Sequence, residues 1–161
     1  MNQNVVALVQ SSWAKVLPIA GTAGNLFYAN LFEADPTLRR LFKGNMEQQA
    51  GKLMHMINAA VRKLDDPATL IPILQQLGTR HTGYGVVPSH YATVGAALLK
   101  TLEQGLGPAF TPEVKSAWST VYGFIANVMM KQSAAETASE TAQASLPERR
   151  SIPRAHSVAA V

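Results

Sequence analysis

The chain contains no cysteine. That excludes disulfides, thiolate metal ligands and a cysteine nucleophile, so any metal chemistry rests on histidine, carboxylates or a prosthetic group. Aromatic residues make up 7% and charged residues 15% of the sequence, and nowhere do they interleave into a basic stripe. A nucleic-acid role therefore has little support despite a pI of about 9.6, because binding to phosphates needs clustered Lys and Arg. There is no run of 18 or more apolar residues, and the start, MNQNVVALVQ, has no basic segment followed by an apolar one. Neither membrane spanning nor secretion is expected, and the expected address is the cytoplasm. The GxGxxG fingerprint is also missing, so no flavin or nicotinamide dinucleotide site is expected.

What is present is 161 residues, 47% of them apolar, enough for one well-buried core and an appendage. β-branched alternation is rare and Pro or Gly recurs at helix-length intervals, which predicts an all-α fold. Helices are expected over about 4–17, through GNLFYANLF to about 34, over the short TLRRLF, over about 46–64, through LIPILQQLGTRH, from about 88 to EQGLGP, and from 112 to about 132. Asp35-Pro36, Asp66-Pro67 and Thr111-Pro112 supply start signals. Residues 133–161, SAAETASETAQAS and then PERRSIPRAHSVAAV, have almost no large apolar side chain, and a disordered or weakly helical tail is predicted there. Residues 1–132 carry 11 Lys or Arg against 7 Asp or Glu, and residues 133–161 carry 3 against 3, so the net +4 lies in the helical domain.

Three predicted helical faces each carry a polar group where an apolar one is expected. At about 100° per residue, Leu74, Leu77 and His81 fall within about 40° of Leu70, which puts the histidine in the buried stripe just before Thr-Gly-Tyr-Gly. The same arithmetic aligns Gln49 with Leu53, Met56 and Ala60, and places Tyr28 on a face with Gly24, Leu31 and Phe32. Singly, each has an ordinary reading: a structural histidine, a boundary glutamine, a core tyrosine. Together they make an imidazole able to bind iron and two neutral donors able to face a ligand on the metal's other side.

The stretches FYANLF, DPTLRRLF, LGTRHTGYGVVPSHYATVG and AWSTVYG, in this order and spacing, resemble the globin family. The likeness is narrower still to single-domain bacterial haemoglobins and to the globin portion of flavohaemoglobins, and covers about residues 5–132. It implies a globin fold, six to eight helices around a haem pocket, with haem b as cofactor. It implies His81 as the proximal iron ligand, Phe42 packed on the haem, Pro36 opening the third helix, and Tyr28 and Gln49 as distal hydrogen-bond donors. Leu53 would limit ligand access, Gly24 and Ala50 would let two helices cross closely, and Val86 and Tyr91 would wall the proximal side. Met56 and Leu77, on the stripes of Gln49 and His81, join the expected cofactor contacts.

The resemblance further implies O2, NO and CO as ligands, with tight O2 binding suited to scavenging or NO dioxygenation. Two departures bear on turnover. Ser133 stands where flavohaemoglobins carry a glutamate that makes the proximal imidazole a stronger donor, and a hydroxyl does so less. No reductase portion is expected within these residues, so a separate reductase is the expected partner, and a homodimer is a further one to test. The competing readings are a gas sensor and a helical interaction module without cofactor; a bilin site is disfavoured by the missing cysteine.

Among the remaining residues, His55 is expected to be exposed, His90 to cap its helix rather than touch a haem propionate, and His156 to be solvated. Lys52 and Arg80 are candidate propionate partners, individually weak. Trp13 and Trp118 are expected to pack between helices, and Met54, Met129 and Met130 to be core.

Overall fold

The computed structural model describes residues 1–144. Six α-helices, α1 (Gln3–Val16), α2 (Ala20–Ala34), α3 (Met46–Arg62), α4 (Pro67–Gly83), α5 (Pro88–Leu106) and α6 (Pro112–Ala144), are joined by single 3-10 turns or short loops. TLRRLF forms a 3-10 helix, Pro36–Leu41, rather than an α-helical turn. The start signals act as expected: Asp35, Asp66 and Thr111 each accept a backbone N–H of the following turn, and Asn2 and Asn45 do the same at the starts of α1 and α3, satisfying donors that the helix itself cannot.

α6 runs twelve residues past the expected end at Gln132. AAETASETAQA contains good helix formers and no breaker before Pro147, so nothing stops a helix already begun. The rest of the predicted tail, with His156, lies outside the described residues, as does the side chain of Ser133.

The helices pack in crossed pairs, α4 and α1 against α6, and α2 against both α3 and α5. Two crossings are set by small residues. A Cβ built on Gly24 would meet Ala50 Cβ at 2.9 Å, as the expected small pair requires, and one on Gly78 would meet the Met129 carbonyl oxygen at 2.6 Å. The Gly78 crossing was not anticipated. Trp13 and Trp118 fasten α1 to the core, their rings 6.0 Å apart, with Trp118 Nε1 donating to Ser12 Oγ at 2.8 Å and Trp13 Nε1 to Asn58 Oδ1 at 3.0 Å.

The stretch Gln3–Ala34 is long and apolar enough, by length and composition, to cross a membrane, with a mean hydropathy of 1.2 in its most apolar window. Its large apolar side chains Val9, Trp13, Phe27 and Leu31 are buried in the protein's own core.

Gly78→Ala should destabilise the protein by about 1–3 kcal/mol, because the added methyl meets backbone that cannot turn aside. Gly51→Ala, in α3 with nothing within 4 Å, should stabilise it by about 0.5–1 kcal/mol through helix propensity. Urea unfolding of the two variants checks both signs.

Candidate functional site

α4 ends where the chain needs to turn. Gly85 has a φ of +91°, a conformation glycine adopts without steric cost, and it lets Val86 N–H return to the His81 carbonyl at 3.0 Å while Tyr84 N–H bonds Arg80 O at 3.0 Å. The turn anchors the last residues of α4. Within it, His81 Nδ1 lies 2.7 Å from the Leu77 carbonyl oxygen. A carbonyl only accepts, so Nδ1 carries the proton and Nε2 keeps its lone pair.

Burial holds the His81 pKa below its usual 6.5; the Leu77 carbonyl pulls the other way, and the Arg80 charge lowers it a little more. The ring is therefore neutral at pH 7. It borders a cavity walled by residues of α2 through α6 that opens to solvent and is almost wholly apolar, with only His81, Tyr84, His90, Tyr91, Trp118 and Tyr122 carrying polar side-chain atoms among its lining residues.

Of the residues predicted to contact a cofactor, His81, Phe42, Leu53, Met56, Leu77, Val86 and Tyr91 all line this cavity. Tyr28 and Gln49 do not: they are placed one layer behind its wall. The Tyr28 ring lies 5.2 Å from that of Phe27 and 5.1 Å from that of Phe42, both wall residues. Its hydroxyl donates to the Gln49 carbonyl at 3.4 Å, and Gln49 Nε2 donates to Lys43 O at 3.4 Å. The Gly24–Ala50 crossing brings them together, since Tyr28 lies one turn after Gly24 and Gln49 directly precedes Ala50. Burial pushes the Tyr28 phenol above its ordinary pKa, so it remains a proton donor.

His90 accepts the Val87 N–H on Nδ1 at 3.1 Å, capping α5 as expected, and also borders the cavity. His55, Lys52 and Arg80 are exposed, Met54 is core, and Met129 lines the cavity. The wall residues missed by the sequence reading include Tyr84, Ile57 and Tyr122. Ile57 could have been found as the residue one turn after Leu53. Tyr122 could not: its hydroxyl donates to Tyr91 O at 2.6 Å only because α6 crosses α5 at Gly95.

Among the described residues no group of three or more His, Cys, Asp or Glu could hold a metal ion. One imidazole cannot complete a metal's coordination, so a metal bound here must arrive with its other ligands attached. An apolar slot with one lone pair aimed into it fits a planar metal macrocycle.

The comparisons agree. The Globin family profile matches residues 25–129. The flavohemoprotein of Rhodopirellula baltica is 31% identical over 150 residues, covering 91% of this chain and 36% of its own length. Neuroglobin of Danio rerio is 33% identical over 138 residues, covering 77% of this chain and 87% of its own. The chain spans about a third of the length of the flavohemoproteins it matches. Among solved structures, an engineered carbene transferase from Rhodothermus marinus, named for nitric oxide dioxygenase activity, superposes with a TM-score of 0.79 at 26% identity, covering 88% of this chain and 99% of that one. A bacterial globin of Campylobacter jejuni gives a TM-score of 0.74 at 22% identity over 85% and 99% of the two chains.

Two outcomes follow for His81. The parent should be purified with an intense Soret absorption and His81→Ala without it. In the haem-free protein, a depressed histidine pKa contributes stability that is present above the usual 6.5 and lost as pH falls below it. Urea unfolding at about pH 7.5 and about pH 5, on either side of the ordinary histidine value, should therefore show a larger loss for the parent than for His81→Phe.

Proposed function

Since this chain belongs to the globin family and its cofactor is haem, we propose that it holds O2 reversibly and tightly and serves in nitric oxide detoxification or O2 scavenging. The observation that carries this reading is the His81 ring on the wall of an apolar cavity, its Nδ1 2.7 Å from the Leu77 carbonyl oxygen, which accepts its N–H and leaves Nε2 the lone pair. Haem, when bound, supplies an iron that takes up diatomic gases and, where O2 and NO combine to nitrate, loses one electron that a separate reductase returns.

The chain's own residues do the rest. His81 would hold the iron through Nε2, with Leu77 O keeping the ring from turning. Phe42, Leu53 and Met56 exclude water, which strengthens any hydrogen bond made inside. Tyr28 and Gln49, one layer behind the wall, would donate to a partly negative gas ligand by turning inward from main-chain oxygens at 3.4 Å, bonds that are long and weak. Support for the nitric oxide use comes from the Rhodothermus protein, whose description names a nitric oxide dioxygenase.

Each donated hydrogen bond is worth about 0.5–1.5 kcal/mol, and up to about 3 to a charged acceptor. Tyr28→Phe and Gln49→Leu together should speed O2 release by roughly ten to a thousandfold in stopped-flow measurements. Unchanged release in both single variants would remove these residues from the reading.

A further inference from the structure

Two aromatic side chains connect the cavity to a second opening in the molecule. Trp118 lines the cavity, and Trp13 lines a solvent-open groove of about 430 Å³ between α1 and α3. Each residue is 2% exposed, and the two ring centroids are 6.0 Å apart at an interplanar angle of 58°, within the range of direct aromatic contact. An electron passing between rings in contact crosses no intervening chain. The indole N–H groups give the pair a direction. Trp118 Nε1 donates to Ser12 Oγ at 2.8 Å, and Ser12, 4% exposed, donates in turn to Leu8 O at 2.7 Å, so an oxidised Trp118 is sealed from proton acceptors outside the core. Trp13 Nε1 donates to Asn58 Oδ1 at 3.0 Å, and both residues line the groove, where water can take the proton. An electron vacancy that enters at Trp118 therefore comes to rest on Trp13.

The chemistry of the groove selects what refills it. Leu17 and Val61 are apolar, Trp13 is its aromatic ring, and exposed Arg62 is its one charged lining residue. Among the described residues no carboxylate lies within 4 Å of Arg62. An aromatic ring that carries a carboxylate matches both features. We propose that Trp118 and Trp13 form a relay through which phenolic acids bound in this groove reduce hydrogen peroxide in the cavity without entering it. The inference rests on the haem reading above. Each electron leaves Trp118 toward the haem, Trp13 refills Trp118, and a phenol refills Trp13 while losing its proton to water. The O–O bond of the peroxide and the O–H bonds of two phenols break, two O–H bonds form on the peroxide oxygens to give two waters, and the two phenoxyl radicals couple through carbon.

The test uses the haem-loaded full chain, with haem content measured in each preparation, and para-hydroxyphenylacetate as the probe. Freeze-quenched electron paramagnetic resonance after addition of hydrogen peroxide should show an organic radical whose lines narrow with ring-deuterated tryptophan, and Trp118→Phe and Trp13→Phe should both lose it. Arg62→Glu, at an exposed position, should keep that signal yet raise KM for the probe roughly fivefold, whereas Lys115→Glu, of equal net charge on α6, should leave KM as in the parent. Tyramine, the same phenol with a cation in place of the carboxylate, should show the opposite response to Arg62→Glu. A radical that narrows with deuterated tyrosine instead, or that survives in both phenylalanine variants, overturns the relay. A KM indifferent to Arg62→Glu overturns the groove as the site that feeds it. A parent that takes up no haem overturns the haem reading, whereas a haem-loaded parent without the tryptophan signal overturns the relay alone.

Discussion

A single hydrogen bond organises the site: the 2.7 Å contact between His81 Nδ1 and the carbonyl of Leu77, one turn back in the same helix. It fixes both the tautomer and the orientation of the ring, and so determines which nitrogen can serve a metal. It is cheap to build, since every residue in α4 offers a carbonyl four positions earlier. What it needs is a helix that stays regular through His81 and stops directly afterwards. The left-handed Gly85 and the hydrogen bonds that return to Arg80 and His81 provide that stop.

The cavity beside it depends on distances between helices more than on any wall residue. α6 lies against α4 because Gly78 has no side chain to separate them, and α3 lies against α2 because Gly24 and Ala50 are small. The first contact holds the wall residue Met129 against α4. The second brings Tyr28 and Gln49 together one layer behind the wall, where burial keeps the phenol protonated. His81 thus meets the apolar cavity directly, while Tyr28 stands behind Phe27 and Phe42.

Much of this was legible in the sequence because helical periodicity alone fixes direction. His81, Leu53, Met56 and Leu77 fall on stripes, and stripes face the core; the structure puts all four on the cavity wall. Tyr28 and Gln49 were also correctly read as buried, but burial does not tell the wall from the layer behind it. That depends on a crossing angle, which periodicity does not contain. Tyr122, brought onto Tyr91 by the passage of α6 over Gly95, was hidden for the same reason, and so was the role of Gly78. α6 continues past Gln132 because a drop in apolar content does not end a helix, whereas a breaker or a cap does; the expected weakly helical tail begins as that extension.

The central claim, that His81 is a neutral ring with its proton on the leucine side and its lone pair open to the cavity, is tested most directly by nitrogen NMR on the haem-free protein with labelled histidine. At neutral pH the account predicts a protonated, pyrrole-type signal for His81 Nδ1 and an unprotonated, pyridine-type signal for Nε2. An imidazolium, or the opposite tautomer, would contradict it.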